Sequence, residues 1–511
     1  MSKKSATVAC GHQNTGHASI EVLREGGNAI DAAIAGFFSA CINEPVLASP
    51  GGGGFAMIRP RGAAPMLLDF FTQTPGQRKP IDQLDIETIQ VDFGRATQDF
   101  HIGCGTIATP GAISGVFEMH RQMGRIPFRE LVVPAIEQIK NRVAVSKQQA
   151  DILKLVEPIY NSRQSAIDLF ASRTQENRLI GEGEVIDWSE LADVLDALGR
   201  EGKDIFYRGE IAGRIQQLSE SSGGSINRQD LENYQSIWRT PLKTSFRQAD
   251  IWLNPMPSSG GCLIMFALQL LDRQTVLQGK NYFTSIADCL ALTNEARLKT
   301  TSRSVFPDLE LLLDDQYVAE MATELAQKAH AWKGTTHLSV VDDEGTSIAM
   351  TVTNGEGCGE VLQGTGVMLN NMLGEEDLNP RGINQWPLDE RLSSMMSPTI
   401  MQFDNQVFTM GSGGSNRIRS SILQTIVQLV DLQLDVRQAM QVPRLHMEGE
   451  TLNIEGGVEE PILQLLSKQY PQQNRFEDQN FFFGGVHSVV ETKDGCYGVG
   501  DPRRSGVCLV V

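Results

Sequence analysis

Residues 334–355 carry the clearest alternation of hydrophobic and polar positions in the chain. Two runs in which apolar residues alternate with small or polar ones flank the segment 343–345, Asp-Glu-Gly. This pattern predicts two strands joined by a tight turn. With 343–345 as the loop, Thr335 lies opposite Thr353, and a one-residue change of the turn puts Asn354 there instead. Such a Thr-rich hairpin is also typical of an ordinary protein surface, because Thr is a good strand residue.

Hydrophobic periodicity and glycine positions predict further strands and helices along the chain. Helices are predicted at 17–24 and 29–41, in a long, mostly helical region at 115–326 that ends with a helix at 315–328, and at 417–432, 436–440 and 461–469. Strands are predicted at 55–60, 66–71, 399–403 and 406–410. Strands, then helices, then strands predict an α+β fold in which two sheets lie between helical layers, a four-layer αββα sandwich.

Composition limits the partners and the compartment. The 511 residues include 41% hydrophobic side chains and 49 glycines, as expected of a loop-rich globular protein. The balance of 44 basic against 62 acidic side chains gives a net charge of −18, which argues against nucleic acid or an anionic membrane surface as a partner. The polar N-terminal residues and the lack of an 18-residue apolar run predict no signal peptide and no membrane span, and hence a cytoplasmic protein.

The cysteines give no indication of a metal site or of another cofactor. The eight of them are scattered without CxxC spacing and without a His at ligand distance in sequence, at positions 10, 41, 104, 262, 289, 358, 496 and 508. This spacing predicts reduced thiols and neither zinc nor an iron–sulfur cluster.

Two glycine-rich segments could place backbone N–H groups near a ligand. Residues 411–416, GSGGSN, follow a predicted strand and precede the helix that starts near Arg417. Free N–H groups at such a helix N-terminus favour negative charge; the less favoured alternative is an ordinary strand-to-helix turn. Residues 51–54 are four glycines without a following Lys, so they do not form a phosphate-binding loop of the GxxxxGK[ST] type.

Nine motifs, in order along the chain, together resemble the gamma-glutamyltransferase family, a branch of the N-terminal-nucleophile hydrolases. They are LREGGNAIDAAIA (23–35), SPGGGGF (49–55), TPGAISG (109–115), NPMPSSGGC (254–262), GTTHLSVVD (334–342), GTGVMLNN (364–371), LSSMMSP (392–398), GSGGSNRI (411–418) and DPRR (501–504). The resemblance covers nearly the whole chain. It implies the αββα sandwich of that superfamily, with residues 1–334 and 335–511 forming one intertwined domain.

The resemblance also implies a self-processing chemistry. The Thr335 hydroxyl attacks the carbonyl of Gly334, the amide becomes an ester, and water cleaves it. The products are a large fragment, 1–334, and a small fragment, 335–511, which stay together as a heterodimer. Thr335 then carries a free amine that serves as base for its own hydroxyl, and Gly334 supplies the strained backbone that the acyl shift needs.

The family pattern implies further site residues. Thr353, on the returning strand, joins Thr335 as a catalytic residue. A glycine pair holds the oxyanion, either Gly413 with Gly414 or Gly414 with Ser415, because the family pattern GSPGGSRI aligns in two ways.

Four residues are expected to bind the substrate. Ser393 and Ser394 lie in a loop before a strand, where their hydroxyls bind a carboxylate in the family, although a plain polar loop is an equal alternative. Glu375 stands where the family has an Asp for the α-ammonium group of the substrate. Asn354 is shifted by one position from the family's Thr-x-Asn pattern, so whether it reaches the substrate stays open.

Phe71 departs from the family pattern, because it stands where relatives that act on glutathione have an Arg that binds the glutamyl α-carboxylate.

Three functions are compatible with the family motifs and with this departure. The first is a gamma-glutamyl hydrolase or transferase that passes the acyl group from Thr335 to water or to an amine or peptide acceptor. The second is an amidohydrolase or acylase with another acyl specificity. The third is a non-catalytic protein that binds a small amide on the same scaffold.

Four other positions are assigned structural roles. His101 and His337 are expected to be structural histidines, and residues 43–45, Asn-Glu-Pro, are expected to end a helix. Residues 501–504, Asp-Pro-Arg-Arg, predict an ion-paired turn that holds the layers together.

Overall fold

Two antiparallel sheets, packed face to face, form the centre of the molecule in the computed structural model. The structure describes residues 5–92, 97–303, 310–314, 317, 334–379 and 381–511. The helix predicted at 315–328 lies, except for residue 317, outside the described residues.

The strands are short, and many are joined by tight turns. In chain order they are β1 (Thr7–Cys10), β2 (Gly53–Arg59), β3 (Met66–Phe70), β4 (Glu87–Asp92), β5 (Thr97–Ile102), β6 (Ile237–Arg239), β7 (Leu242–Phe246), β8 (Ala249–Leu253), β9 (Thr336–Val341), β10 (Ser347–Thr353), β11 (Val361–Leu362), β12 (Val367–Met368), β13 (Thr399–Phe403), β14 (Gln406–Gly413), β15 (Leu445–Glu448), β16 (Thr451–Ile454), β17 (Gln473–Arg475), β18 (Gly485–Glu491), β19 (Cys496–Val499) and β20 (Val507–Val510).

Helices cover the outer faces of the sheets. The α-helices are Gln13–Arg24, Ala29–Asn43, Ala112–Met123, Phe128–Lys140, Lys147–Leu155, Glu157–Tyr160, Gln164–Phe170, Ser189–Glu201, Asp204–Tyr207, Glu210–Ser221, Arg228–Asn233, Ser259–Asp272, Lys280–Arg303, Arg417–Val430, Val436–Ala439 and Glu460–Gln469. Single 3₁₀ turns occur at Ile81–Gln83, Cys104–Thr106, Leu311–Leu313, Met372–Gly374, Phe481–Phe483 and Pro502–Arg504.

The layer order is helix, sheet, sheet, helix, as predicted from the sequence. The seven-stranded sheet has the order β20-β1-β9-β10-β2-β3-β6, and the six-stranded sheet has the order β19-β18-β14-β13-β8-β7. Helix Ala29–Asn43 packs on β9 and β10, while helices Ser259–Asp272 and Arg417–Val430 pack on the six-stranded sheet. The two sheets meet through β9 and β10 on one side and β14 and β18 on the other. The α+β sandwich is therefore confirmed.

Alternation along the strands divides the core into two hydrophobic layers. In β2, Ala56 and Ile58 point into the cluster formed with the N-terminal helices. Phe55 and Met57, which alternate with them in sequence, point into the cluster formed with the other sheet and its helices. Because neighbouring side chains of a strand face opposite sides of a sheet, a fully apolar strand serves two layers at once.

The register predicted for the 334–355 hairpin is confirmed. Val352 of β10 pairs with Thr336 of β9, and Ser347 pairs with Val341. Continuing this register by one step sets Thr335 opposite Thr353. The turn is held by Asp342, whose carboxylate accepts hydrogen bonds from the N–H groups of Glu344 (3.1 Å) and Thr346 (2.8 Å).

The mostly helical region predicted at 115–326 is wrong for residues 237–253. Strands β6, β7 and β8 lie there, and β8 pairs with β13 in the six-stranded sheet. Each of these strands has at most five residues. A run this short gives little periodic signal beside long helices, so long-range pairing decides its conformation.

The fold interleaves the two parts of the chain on either side of Gly334. In the seven-stranded sheet, β9 and β10 from the C-terminal part lie between β1 and β2 from the N-terminal part. In the six-stranded sheet, β7 and β8 extend the strands of the C-terminal part. Within the part of the chain that the structure describes, no helix is long and apolar enough to cross a membrane.

Candidate active site

Thr335 lies immediately before β9 and is almost completely buried, at 4% exposure. Three side chains hold the backbone of Gly334 and Thr335. The Thr353 hydroxyl donates a hydrogen bond to the carbonyl oxygen of Gly334 (2.6 Å), and the N–H of Gly334 donates to Oε1 of Glu356 (2.9 Å). Nη1 of Arg504 donates to the carbonyl oxygen of Thr335 (3.4 Å). The chain is therefore fixed on both sides of the Gly334–Thr335 bond.

Gly334 is surrounded so closely that a larger residue would not fit. A Cβ atom at this position would lie 2.8 Å from the carbonyl oxygen of Gly355 and 3.2 Å from a methyl group of Leu47. Crowding by residues far away in sequence is therefore one reason why glycine is necessary here.

Thr335 opens onto a cleft of about 350 Å³, including space that is open to solvent. Its walls are mostly apolar, with a few polar and acidic side chains. The lining residues are Phe71, Gly334, Thr335, Thr353, Met372, Glu375, Asp377, Leu378, Ser394, Met395, Met396, Ser415 and Ile418. This lining, taken from the described residues, contains two carboxylates and neither Lys nor Arg.

The predicted substrate-binding residues divide into two groups. Glu375 and Ser394 line the cleft beside Thr335. Ser393, next to Ser394, is half-buried and is not part of the lining. Asn354 is fully buried, and its Nδ2 contacts the carbonyl oxygen of Leu369 at 3.5 Å rather than the cleft. The structure therefore brings Glu375 and Ser394 to Thr335 but not Asn354 or Ser393.

The glycine-rich segment 411–416 passes directly behind Thr335. Gly413, the last residue of β14, lies so close that a Cβ atom there would be 2.1 Å from the carbonyl oxygen of Thr335. Gly414 has a φ of 116° and Ser415 a φ of 51°, so the chain turns through left-handed backbone before the helix begins at Arg417. The predicted helix start is confirmed.

The two registers considered for an oxyanion site differ in their access to the cleft. Of Gly413, Gly414 and Ser415, only Ser415 is part of the cleft lining. The carbonyl groups of Gly414 and Ser415 accept hydrogen bonds from the N–H groups of Arg417 (3.0 Å) and Ile418 (2.9 Å). Both carbonyls are thus turned toward the helix.

A polar row lies between the two sheets beneath Thr335. His337 contacts the Thr351 hydroxyl through Nδ1 (2.8 Å) and the Ser339 hydroxyl through Nε2 (2.9 Å). The Ser339 hydroxyl also donates to the carbonyl oxygen of His487 on the other sheet (3.2 Å). Burial lowers the pKa of His337 well below its ordinary value, so its ring is neutral. The Ser339 hydroxyl therefore links the two sheets, and His337 holds that hydroxyl in place, as expected of a structural histidine.

Glu44 caps the end of helix Ala29–Asn43, as predicted, and it also reaches the residue after Thr335. Its carboxylate accepts hydrogen bonds from the hydroxyls of Thr336 (2.7 Å) and Thr15 (3.0 Å). Burial raises the pKa of the Glu44 carboxyl, an effect that the two hydroxyls and Arg504 partly offset. The sequence provides no signal for this contact, because it joins residues nearly three hundred positions apart.

Phe71 lines the cleft, and a buried arginine lies behind it. Arg391 donates to the carbonyl oxygen of Phe71, to the Tyr234 hydroxyl and to the carbonyl oxygen of Gln235. Its Nη1 also lies 3.7 Å from the Asp69 carboxylate. This guanidinium is therefore held by protein groups beneath the backbone of Phe71, and it is not part of the cleft lining.

A chain of buried polar groups leads away from Asp377 in the cleft. Nδ2 of Asn416 contacts the carboxylates of Asp377 (3.1 Å) and Glu448 (3.1 Å). Glu448 in turn contacts His446 at 2.7 Å. Despite burial, His446 and nearby arginines lower the pKa of Glu448 to about 2, while burial lowers the pKa of His446 to about 4. Asp377 was not expected from the sequence as a cleft residue.

The turn at residues 501–504 is ion-paired, as predicted. Asp501 contacts Arg444 (2.7 Å) and Arg503 (3.3 Å), and Arg503 also contacts Glu455 (2.6 Å). All four side chains are buried, and the cluster links the six-stranded sheet to the segment before β15. Arg504, the last residue of the turn, points instead to Thr335. Within the described ranges, no group of three His, Cys, Asp or Glu side chains is placed to ligate a metal ion.

Comparisons with known proteins agree with this geometry. The sequence profile of the gamma-glutamyltranspeptidase family matches residues 15–511. The chain is 28% identical to the glutathione hydrolase proenzyme of Escherichia coli (strain K12), over 98% of this chain and 90% of that one. It is also 28% identical to the acylase ACY 1 proenzyme of Pseudomonas sp. (strain V22), over 96% and 92%. The crystal structure of cephalosporin acylase from Bacillus halodurans shares the fold, with a TM-score of 0.83 and 22% identity over 99% and 96% of the two chains.

Proposed function

Because the chain belongs to the gamma-glutamyltranspeptidase family, it is an enzyme, and we propose that Thr335 becomes its nucleophile by self-cleavage. The observation that carries this proposal is the hydrogen bond of 2.6 Å from the Thr353 hydroxyl to the carbonyl oxygen of Gly334. A donor at this oxygen stabilises the negative charge that develops when the Thr335 hydroxyl attacks the carbonyl carbon.

The self-cleavage has two steps. A bond forms between Oγ of Thr335 and the carbonyl carbon of Gly334, the C–N bond between the two residues breaks, and the hydroxyl proton passes to the nitrogen. Water then hydrolyses the ester, which leaves a carboxylate on Gly334 and a free amine on Thr335. The fragments are 1–334 and 335–511.

In turnover the same oxygen attacks the carbonyl of a substrate amide. The free amine of Thr335 takes the hydroxyl proton and gives it to the leaving amine, and the acyl group stays on Thr335 as an ester. Water or an acceptor amine then takes the acyl group and restores the hydroxyl. We propose gamma-glutamyl or related acyl amides as substrates, on the basis of the family and of the glutathione hydrolase among its relatives.

A second candidate, an acylase without gamma-glutamyl specificity, is favoured by the cleft itself. Phe71 forms part of the wall, and the nearby Arg391 is held behind it. The described part of the cleft lining contains Glu375 and Asp377 and no cation, which disfavours an acyl group that carries a carboxylate. The relative described as an acylase proenzyme supports this alternative at the same level of identity.

Thr335→Ala tests both candidates at once. The variant removes the attacking oxygen, so we expect an uncut chain and no turnover, while the wild type yields two fragments, one beginning at Thr335. Intact mass and N-terminal sequencing of the purified proteins measure this. A wild-type chain that stays whole after prolonged incubation would refute the proposed function.

The acyl specificity is measured on processed wild-type enzyme with three anilides that share one leaving group. A gamma-glutamyl anilide carries a carboxylate and an ammonium group, a glutaryl anilide carries the carboxylate alone, and a butyryl anilide carries neither. The highest kcat/KM on the gamma-glutamyl anilide supports the first candidate. The highest kcat/KM on the butyryl anilide supports the second.

A further inference from the structure

We infer that Glu356 is a positioning residue for the self-cleavage, which holds the N–H group of Gly334 so that its carbonyl faces Thr335. The inference rests on the proposed function and adds to it a residue outside the family motifs described above. Glu356 is 2% exposed, and Oε1 accepts the N–H of Gly334 at 2.9 Å.

The loop around Glu356 is built to send its side chain toward Gly334. Gly355 and Gly357, on either side, have φ values of 65° and 86°, a left-handed conformation that glycine adopts without strain. The N–H of Glu356 donates to Oδ1 of Asn371 at 3.1 Å, and this contact ties the loop to the residue before Met372 of the cleft lining. The backbone of this loop is thus held by its own contacts, independently of the hydrogen bond between the Glu356 carboxylate and Gly334.

Glu356 and Thr353 together bind both backbone polar groups of Gly334. The carboxylate takes the N–H, and the Thr353 hydroxyl reaches the carbonyl oxygen. A residue whose N–H and C=O are both bound cannot rotate about its own φ and ψ without losing a hydrogen bond. The carbonyl carbon therefore stays where the adjacent hydroxyl of Thr335 can attack it, which is the entropic advantage of a positioned intramolecular reaction.

Substitutions of Glu356 separate the effect of side-chain length from the effect of charge. Glu356→Asp keeps the charge but withdraws the carboxylate by one methylene, whereas Glu356→Gln keeps the reach and still offers an oxygen acceptor. Glu356→Met keeps the volume and has no acceptor oxygen. As matched control we choose Glu360→Asp, because Glu360 lies on the same loop and binds the Ser165 hydroxyl (2.6 Å) and Arg163 (3.7 Å) instead of Gly334.

Self-cleavage is followed in full-length chains made by cell-free translation, by the fraction cut before Thr335 at intervals after synthesis is stopped. We expect Glu356→Asp and Glu356→Met to cleave roughly thirtyfold more slowly than the wild type, and Glu356→Gln within about fivefold of it. Glu360→Asp should cleave at the wild-type rate.

The outcomes separate this inference from the proposed function. If the wild type cleaves and Glu356→Asp matches it, or if Glu356→Gln is as slow as Glu356→Asp, Glu356 does not position Gly334. Thermal unfolding midpoints, measured for each variant, separate slow cleavage from misfolding; if Glu356→Asp does not fold, Glu356→Met against Glu356→Gln decides. If the wild type itself is never cut, the proposed function falls, and the role of Glu356 falls with it.

Discussion

At the scale of single residues, the bond between Gly334 and Thr335 is surrounded by groups that come from distant parts of the chain. Thr353 belongs to the neighbouring strand, Arg504 to the C-terminal turn, and Glu356 to a glycine-rich loop. Each binds one backbone atom of Gly334 or Thr335. This arrangement explains how a Thr hydroxyl, a weak nucleophile by itself, is kept next to one particular carbonyl.

The hydroxyl of Thr353 is expected to control the rate of self-cleavage. It donates to the oxygen of Gly334 and accepts the N–H of Gly355 (3.0 Å). Thr353→Val has nearly the same shape without the hydroxyl, so cleavage before Thr335 should slow roughly a hundredfold. Thr353→Ser keeps the hydroxyl and should cleave at close to the wild-type rate. Time courses of intact mass measure both, and equal rates for Val and Ser would contradict a role for this donor.

At the scale of elements, β14 must lie flat against the end of β9. A Cβ atom at Gly411 would lie 2.3 Å from the imidazole ring of His337, and one at Gly413 would meet the carbonyl oxygen of Thr335. Glycine at alternate positions of β14 therefore lets the six-stranded sheet approach the hairpin that carries Thr335. The glycine-rich motif is thus needed for sheet packing, independently of any role in binding an oxyanion.

Gly411→Ala tests this packing requirement. Forcing a methyl group against the His337 ring should destabilise the fold by about 1–3 kcal/mol. The matched control is Gly213→Ala in helix Glu210–Ser221, where a Cβ atom would meet only Arg228, at 3.9 Å. Because Ala favours a helix over Gly, the control should gain about 0.5–1 kcal/mol. Urea unfolding of both variants gives the comparison, and an unchanged midpoint for Gly411→Ala would show that β14 can move away.

The first helix has a cap that depends on pH. Nδ1 of His12 accepts the N–H of Asn14 (3.2 Å), and burial lowers the pKa of His12 from 6.5 to about 4. In the unfolded chain His12 takes up a proton at a higher pH than in the folded protein. Its contribution to stability is therefore complete above pH 6.5 and is lost as the pH falls toward 4.

His12→Asn should remove this pH dependence while keeping the cap, since Asn is a favourable N-cap residue. Between pH 7 and pH 4.5 the free energy of unfolding of the wild type should fall by about 1–2 kcal/mol more than that of the variant. This range allows for the partial solvent exposure of His12. Denaturant midpoints at the two pH values measure the difference. A constant offset between the two proteins at both pH values would contradict the assignment.

At the scale of the whole molecule, cutting the chain before Thr335 does not create two separate domains. Strands β9 and β10 lie between β1 and β2, and β20 pairs with β1 at the edge of the same sheet. The pairings of β1 with β9, of β10 with β2 and of β20 with β1 each join a strand before the proposed cleavage point to a strand after it. The hydrophobic layers on both sides of the sheet also combine residues from before and after Gly334.

The fragments 1–334 and 335–511 should therefore stay together after processing. Native gel filtration of the processed protein should give one peak that contains both fragments, and they should separate only in denaturant. Dilution and high salt should not part them, because the interface is a shared core rather than a polar contact surface. Recovery of a free small fragment under native conditions would be the contrary result.

Local patterns were sufficient for the elements nearest Thr335. The turn at 343–345 and the alternation on either side determine the pairing of β9 with β10, and with it the position of Thr353 opposite Thr335. The strand predicted at 399–403 is observed with the same bounds, and the helix predicted to start at Arg417 begins there. Each of these depends on residues close together in sequence, where periodicity and turn chemistry are strongest.

Some features cannot be predicted locally. Strands β6 to β8 lie in the region that was expected to be mostly helical, and β6 and β8 pair with strands more than a hundred residues away. Asn354 was considered for substrate binding, but its side chain turns to Leu369. In both cases a weak local preference is overridden by tertiary contacts.

The sequence alone determined the family resemblance, the order of the motifs and the identity of Thr335 as the candidate nucleophile, since these depend on residue types at fixed spacing. Only the tertiary structure decided what surrounds that residue: Glu356 on the N–H of Gly334, Arg504 on the carbonyl oxygen of Thr335, Glu44 behind Thr336, and Arg391 held away from the cleft by Phe71. The physical reason is that hydrogen bonds and burial depend on distance in space, and these groups come from segments up to about three hundred residues apart.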